Sequence, residues 1–226
     1  MKDLPLAPPE VLEGLKNYDT PTVFNAIHRL NACSDENYTD YSIKCLLPDL
    51  GVVLGYAVTI EVTTNDEDYP SVPWVDHYRS IDNIDGPVMV VFRDVDSRPG
   101  RGASFGEGMT LYHKHFGTVG ALFEGTIRDL KEIHREKFPV FAKGTTPGHG
   151  TFHPTRLGVP VTVGQMRVCP GDRIMGDING CVRIPVDRAE EILKECAEII
   201  KIEQSIFKQI PGGSIDELAK AFNWEK

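Results

Sequence analysis

Glu107 and the adjacent pair Arg128-Asp129 are the residues whose types invite chemistry, with twenty residues between the acid and the arginine. An arginine beside an aspartate holds an anion and a hard cation side by side. The guanidinium forks onto an oxyanion, and carboxylate oxygen suits a hard cation. The pair follows an apolar run, Val119 to Phe123, and a Gly125-Thr126 turn. Ligands of α/β sheets gather outside strand carboxyl ends, so the position suits a site. The same two residues equally suit a helix-opening Asp beside a surface Arg. Glu107 follows Gly106 and the loop Arg98-Pro99-Gly100-Arg101-Gly102, whose backbone N–H groups are able to cradle an oxyanion. As a lone acid in a first helical turn, it also suits the helix dipole.

Other chemistry is less well provided for. His149 and His153 are four apart, but they lie in GHGTFHP, where glycine and proline oppose the helix that metal-binding spacing needs. His113, His115 and His134 complete this group, and all five are expected to face solvent or to cap loops. No P-loop, strand-bounded GxGxxG or GxSxG elbow occurs. The five cysteines (Cys33, Cys45, Cys169, Cys181, Cys196) form no CxxC pair and read as reduced thiols.

The elements that must position these residues alternate. Residues 8–17 place Val11, Leu12 and Leu15 on one helical face, and Thr20-Pro21 reads as a cap and first-turn proline of a second helix. Residues 52–63 are β-branched and predict a strand; 64–80 are polar and predict an exposed connection. VMVVF (88–92) and VGALF (119–123) read as buried strands around a weak helix at 105–116, and a short helix follows in GTIRDLKEI. FPVFAKG (138–144) predicts a strand ending in a Gly/Thr/His-rich loop. From 160 onward, short strands separated by Gly-Gln, Pro-Gly and Asn-Gly turns predict antiparallel pairing. A helix with a capping box at Asp187 and Glu190 carries a 3.6-period stripe from Ala189 to Phe207, and Ser214 with Glu217 opens a last one. No repeat or composition break divides the 226 residues, so residues 1–226 read as one mixed α/β domain.

Composition narrows the class. Lys plus Arg number 24 against 33 Asp plus Glu, a net charge of −9, which disfavours nucleic acid and anionic membranes as partners. Acids and prolines stand where a signal peptide needs an apolar stretch, and no run approaches the ~18 residues of a membrane span. A cytoplasmic protein is expected. With 21 Gly and 16 Pro spread along the chain, many turns are expected as well.

Taken together, FGE at 105–107, GTIRDLKEI at 125–133, FPVFAKGTTP at 138–147 and VPVTVGQMRVCPGDRIMGDINGCVRIP at 159–185 resemble the RraA-like family. YDTPTVFNAIHRL and LGYAVTIEV extend the resemblance over nearly the whole chain. The family includes divalent-metal-dependent class II aldolases acting on 4-hydroxy-4-methyl-2-oxoglutarate and 4-carboxy-4-hydroxy-2-oxoadipate. The resemblance implies a three-layer β/β/α sandwich of the swivelling-domain kind with N- and C-terminal helices, assembled as homotrimers or hexamers with sites between subunits. It implies that Asp129 binds Mg²⁺ or Mn²⁺, that Glu107 reaches the metal through water, and that Arg128 contacts the oxygens of a small anionic 2-oxo acid. Gly106, Gly108 and Met109 correspond to the substrate carboxylate site, and Glu203 to an acid from a neighbouring subunit's C-terminal helix. The implied activity is cleavage of a 4-hydroxy-2-oxo acid to pyruvate and a second oxo compound, with oxaloacetate decarboxylation alongside. The family is also similar to non-catalytic protein regulators of a ribonuclease. The chain departs from the family pattern at Ala103, where glycine is usual, at Gly108-Met109, and in Asp66 to Arg79, which has no counterpart.

Overall fold

The computed structural model describes residues 6–32, 37–208, 210–222 and 224; Cys33 lies outside them. Helix α1 (Pro9–Leu15) opens on proline and buries Val11, Leu12 and Leu15. Helix α2 (Thr20–Arg29) is capped by Asp19, whose carboxylate accepts the Thr22 N–H at 2.9 Å. Thr20, expected as the cap, is instead the first helical residue. Its N–H and hydroxyl donate to the buried Asp177 at 2.7 and 2.8 Å, tying the helix to the far end of the chain.

Strands β1 (Lys44–Cys45), β2 (Val53–Thr63) and β3 (Val88–Asp94) follow, with helix α3 (Trp74–Asp82) between the last two. Helix α4 (Glu107–His115) leads into β4 (Thr118–Glu124) and the two-residue β5 (Thr126–Ile127), then helix α5 (Leu130–Arg135). Strands β6 (Val140–Ala142), β7 (Gly144–Thr145), β8 (His153–Leu157), β9 (Val161–Val163), β10 (Met166–Val168), β11 (Arg173–Asp177) and β12 (Gly180–Ile184) come next. Helices α6 (Ala189–Phe207) and α7 (Ile215–Phe222) close the chain.

The main sheet runs β1-β6-β4-β3-β2-β11-β12, with β8 on the second half of β2. Strands β2, β3, β4 and β6 are parallel, as their helical crossovers require, and the remaining pairs are antiparallel. The eleven residues of β2 are all buried because both faces are covered. Leu54 and Tyr56 pack beneath α1, α2 and α6, while Val58, Ile60 and Val62 pack beneath α3, α4 and α5. On the opposite face, Val53 and Ala57 meet Val161, Val163, Met166 and Val168 of the β9–β10 hairpin. The layers are hairpin, sheet and helices, in agreement with the expected β/β/α sandwich.

Two further sequence expectations need correcting. The polar segment 64–80 is not an exposed connection throughout: it contains most of α3, which buries His77 and Ile81. The box at Asp187 and Glu190 does not form. Arg188 holds the cap position without a side-chain cap and binds Glu191 (2.6 Å) and the Leu30 carbonyl (3.0 Å). The second box does form: the Ser214 N–H donates to Glu217 at 2.8 Å, and Glu217 N–H returns to the Ser214 hydroxyl at 3.3 Å.

Candidate functional site

A cleft of about 240 Å³ at the start of α4 is lined by Ala103, Phe105, Gly106, Gly108, Met109, Tyr112, Arg128, Asp129, His149 and Phe152. Two backbone stretches frame it. Residues 103–105 run beside 126–128: Ala103 bridges Thr126, Ser104 N–H donates to the Thr126 carbonyl (3.2 Å), and Arg128 N–H to that of Phe105 (2.9 Å). This pairing brings Arg128 and Asp129 to the start of α4, across more than twenty residues of sequence.

Asp129 precedes α5 but does not cap it. Its backbone is left-handed (φ 59°, ψ 38°), which an aspartate tolerates better than most side chains. The carboxylate is thereby aimed at the other helix, where Oδ2 accepts the Glu107 N–H at 3.1 Å. Arg128 Nε stands 3.5 Å from the same oxygen. The helix-opening alternative for Asp129 therefore accounts for its place in the chain but not for its partner. Gly106 is required by contact: a Cβ there would lie 2.4 Å from Asp129 Oδ2 and 3.2 Å from Arg128 Cγ. The first-turn N–H groups of α4 have no intrahelical acceptor. Asp129 takes that of Glu107, while Gly108 and Met109 line the cleft.

Other candidates are placed differently. The Glu107 side chain is half-exposed and turned to Arg135, with Oε1 3.1 Å from its guanidinium. Glu203 is on α6, which packs against α1 and α2, and does not line the cleft. The Arg98–Gly102 loop spends N–H groups on the aspartates that precede it: Arg98 donates to Asp96 (2.9 Å) and Gly100 to Asp94 (2.7 Å). Among the described residues no group of three or more His, Cys, Asp or Glu side chains converges as a metal cluster. A cation at the cleft would rest on Asp129, with water and ligand oxygens supplying the balance.

A feature that the sequence reading missed lies behind the cleft. His113, expected near solvent, is fully buried, as is His77 of α3. Their Nε2 atoms are 2.9 Å apart, and His113 Nδ1 is 2.7 Å from the Met109 carbonyl. A carbonyl only accepts, so His113 Nδ1 carries the proton and, in the neutral pair, its Nε2 accepts from His77 Nε2–H. That leaves His77 Nδ1 as a bare acceptor, matching its lack of a partner in the structure. Burial, aided by the other ring, pushes His77 down to about 3. Burial also lowers His113 to about 4, against the Met109 carbonyl. The signal was present in the sequence: Trp74, His77, Tyr78 and Ile81 have helical spacing, obscured by the acids around them.

Comparisons with known proteins agree with this architecture. A family model described as Aldolase/RraA, RraA-like, matches residues 20–183. An uncharacterized protein of Methanocaldococcus jannaschii is 30% identical over 202 residues, 88% of each chain. A putative 4-hydroxy-4-methyl-2-oxoglutarate aldolase of Halalkalibacterium halodurans is 32% identical over 116 residues, 49% of this chain and 51% of that protein. The structure of Streptomyces coelicolor RraAS2, described as an unusual member of the RNase ES inhibitor RraA family, superposes with a TM-score of 0.71 at 23% identity, covering 90% of this chain and 98% of that one. With its β/β/α layers and a family match that spans the cleft, this chain belongs to the RraA-like family.

Proposed function

We propose that the cleft is the site of a divalent-metal-dependent lyase that cleaves a 4-hydroxy-2-oxo acid to pyruvate and a second oxo compound and also decarboxylates oxaloacetate. The observation carrying this reading is the convergence of Arg128 and Asp129 on the N-terminus of α4. The donor set fits a hard cation. Mg²⁺ takes one or two carboxylates and fills its shell with water and substrate, and neither the Glu107 N–H nor Arg128 occupies Asp129 Oδ1. Mg²⁺ or Mn²⁺ held by Asp129 would supply Lewis-acid polarisation of the 2-oxo group.

The chain's own residues account for the rest. The N–H groups of Gly108 and Met109 receive the substrate carboxylate at the positive end of α4. Arg128 faces the 2-oxo oxygen and opposes the negative charge that grows there as the C3–C4 bond breaks. Glu107 takes and returns protons once it leaves Arg135, and exposed ion pairs of that kind are weak. Glu203 of a neighbouring subunit completes the acid set in a homotrimer or hexamer. The exposed Ile202, Phe207 and Ile215 on α6 and α7 support such self-association.

A second reading, a protein regulator of a ribonuclease, has its own support. An unusual member of the RNase ES inhibitor RraA family shares the fold over 90% of this chain, whereas the aldolase-named relative matches half of it. Likeness of fold is the support for the regulator, and the side chains of the cleft favour the lyase. Pyruvate release from oxaloacetate, with added Mg²⁺ and then with EDTA, separates them. The lyase reading expects release that EDTA abolishes; no metal-dependent release from oxaloacetate or any 4-hydroxy-2-oxo acid leaves the regulator.

A further inference from the structure

The cleft's lining divides by chemistry. Arg128 and Asp129 carry charge, while Met109, Tyr112 and Phe152 present a thioether and two rings. Helix α3 backs each of these three without lining the cleft itself. The Tyr78 hydroxyl donates to Met109 Sδ (3.7 Å), and the Tyr78 and Tyr112 rings lie 5.9 Å apart. Trp74 meets Phe152 edge-on at 5.7 Å. Deeper still, the buried His77–His113 pair pins α3 to α4 and holds the Met109 carbonyl. The wall is thus backed by packing on a helix, and its one side-chain hydroxyl is that of the exposed Tyr112. Among the described lining residues, Arg128 and the exposed His149, edge-on to Phe152 at 6.0 Å, are the cation-forming groups.

We infer that this wall selects a 2-oxo acid whose far substituent is uncharged and apolar, an alkyl or aryl group in place of a second carboxylate. The inference rests on the proposed lyase reading for where the oxo-acid head sits. With that head at Arg128, Asp129 and the start of α4, the distal substituent meets Met109, Tyr112 and Phe152. A carboxylate there trades its water for the Tyr112 hydroxyl and the exposed His149 alone, whereas a methyl or phenyl group buries area and stacks. The reaction balances without a co-reactant. The C4 hydroxyl gives up its proton and becomes a carbonyl, the C3–C4 electron pair stays with C3, and C3 takes up a proton. Pyruvate and an apolar aldehyde or ketone carry all the substrate's atoms.

The test has a binding arm and a cleavage arm, both on the full chain with Mg²⁺. In calorimetry, phenylpyruvate is expected to bind at least about tenfold more tightly than 2-oxoglutarate, and Phe152→Arg to reverse the order. In pyruvate release, 4-hydroxy-4-phenyl-2-oxobutanoate and 4-hydroxy-2-oxopentanoate are expected to exceed 4-hydroxy-4-methyl-2-oxoglutarate by a similar factor in kcat/KM. Preference for the dicarboxylates in either arm overturns the inference and, if cleavage occurs, leaves the lyase intact. Phenylpyruvate preference without cleavage of any substrate overturns the lyase and leaves the apolar wall. No binding and no cleavage overturn both.

Discussion

Asp129 separates charge from conformation, which makes it the sharpest single probe of the site. Asparagine also tolerates left-handed backbone, and its amide oxygen accepts the Glu107 N–H as the carboxylate does. Asp129→Asn is therefore expected to keep the melting temperature while pyruvate release from oxaloacetate falls about 10²–10³-fold. Full activity would reduce Asp129 to a cap for α4. Gly106 is the converse case. Its extended backbone (φ −158°) admits any residue, but a Cβ would collide with Asp129 Oδ2. Gly106→Ala is expected to displace the carboxylate and lower turnover about 10²-fold, measured beside an unfolding curve. The Arg-Asp pair itself was legible in the sequence. Its geometry was not, because the contact that matters runs to Glu107 N–H on another helix.

Helix α3 is where element-scale reasoning gained most from the structure. Its acids mark a surface, and its Trp74, His77, Tyr78 and Ile81 stripe marks a buried face; only packing on α4 and β3 decides which matters more. The buried imidazoles give the element a pH signature. Both are held neutral, with values near 3 and 4, while the unfolded chain protonates them at about 6.5. Below about pH 6.5 the unfolded state binds more protons, so stability falls with pH until the folded values are reached. Each histidine adds a slope of at most about 1.4 kcal/mol per pH unit. Urea unfolding at pH 7.5, 5.5 and 4.5 is expected to show this loss, and His77→Phe with His113→Leu to flatten it. The α2 cap offers a simpler check. Asp19→Ala is expected to cost about 1 kcal/mol in the same assay, whereas capping by Thr20 would leave stability unchanged.

At the scale of the molecule, a chain of net charge −9 receives an anion only through local cations, and the cleft's guanidinium lies amid overall negative charge. Light scattering is expected to give a trimer or hexamer of the 25.1 kDa subunit; a monomer would remove Glu203 from the proposed site. Helices α1, α2 and α6, the apolar runs Val88–Phe92 and Val119–Phe123 and the turn-rich antiparallel section after 160 were legible from periodicity and turn chemistry, which are local, whereas α3 and β8 were not. The presence of an Arg-Asp pair after a strand was legible as well. Three things were decided by tertiary structure: that Asp129 faces α4, that the Arg98–Gly102 loop spends N–H groups on Asp94 and Asp96, and that two histidines meet behind the cleft. Each depends on contacts between residues some twenty to forty positions apart or on a short loop's closure, and spacing along a chain does not encode distances across a fold.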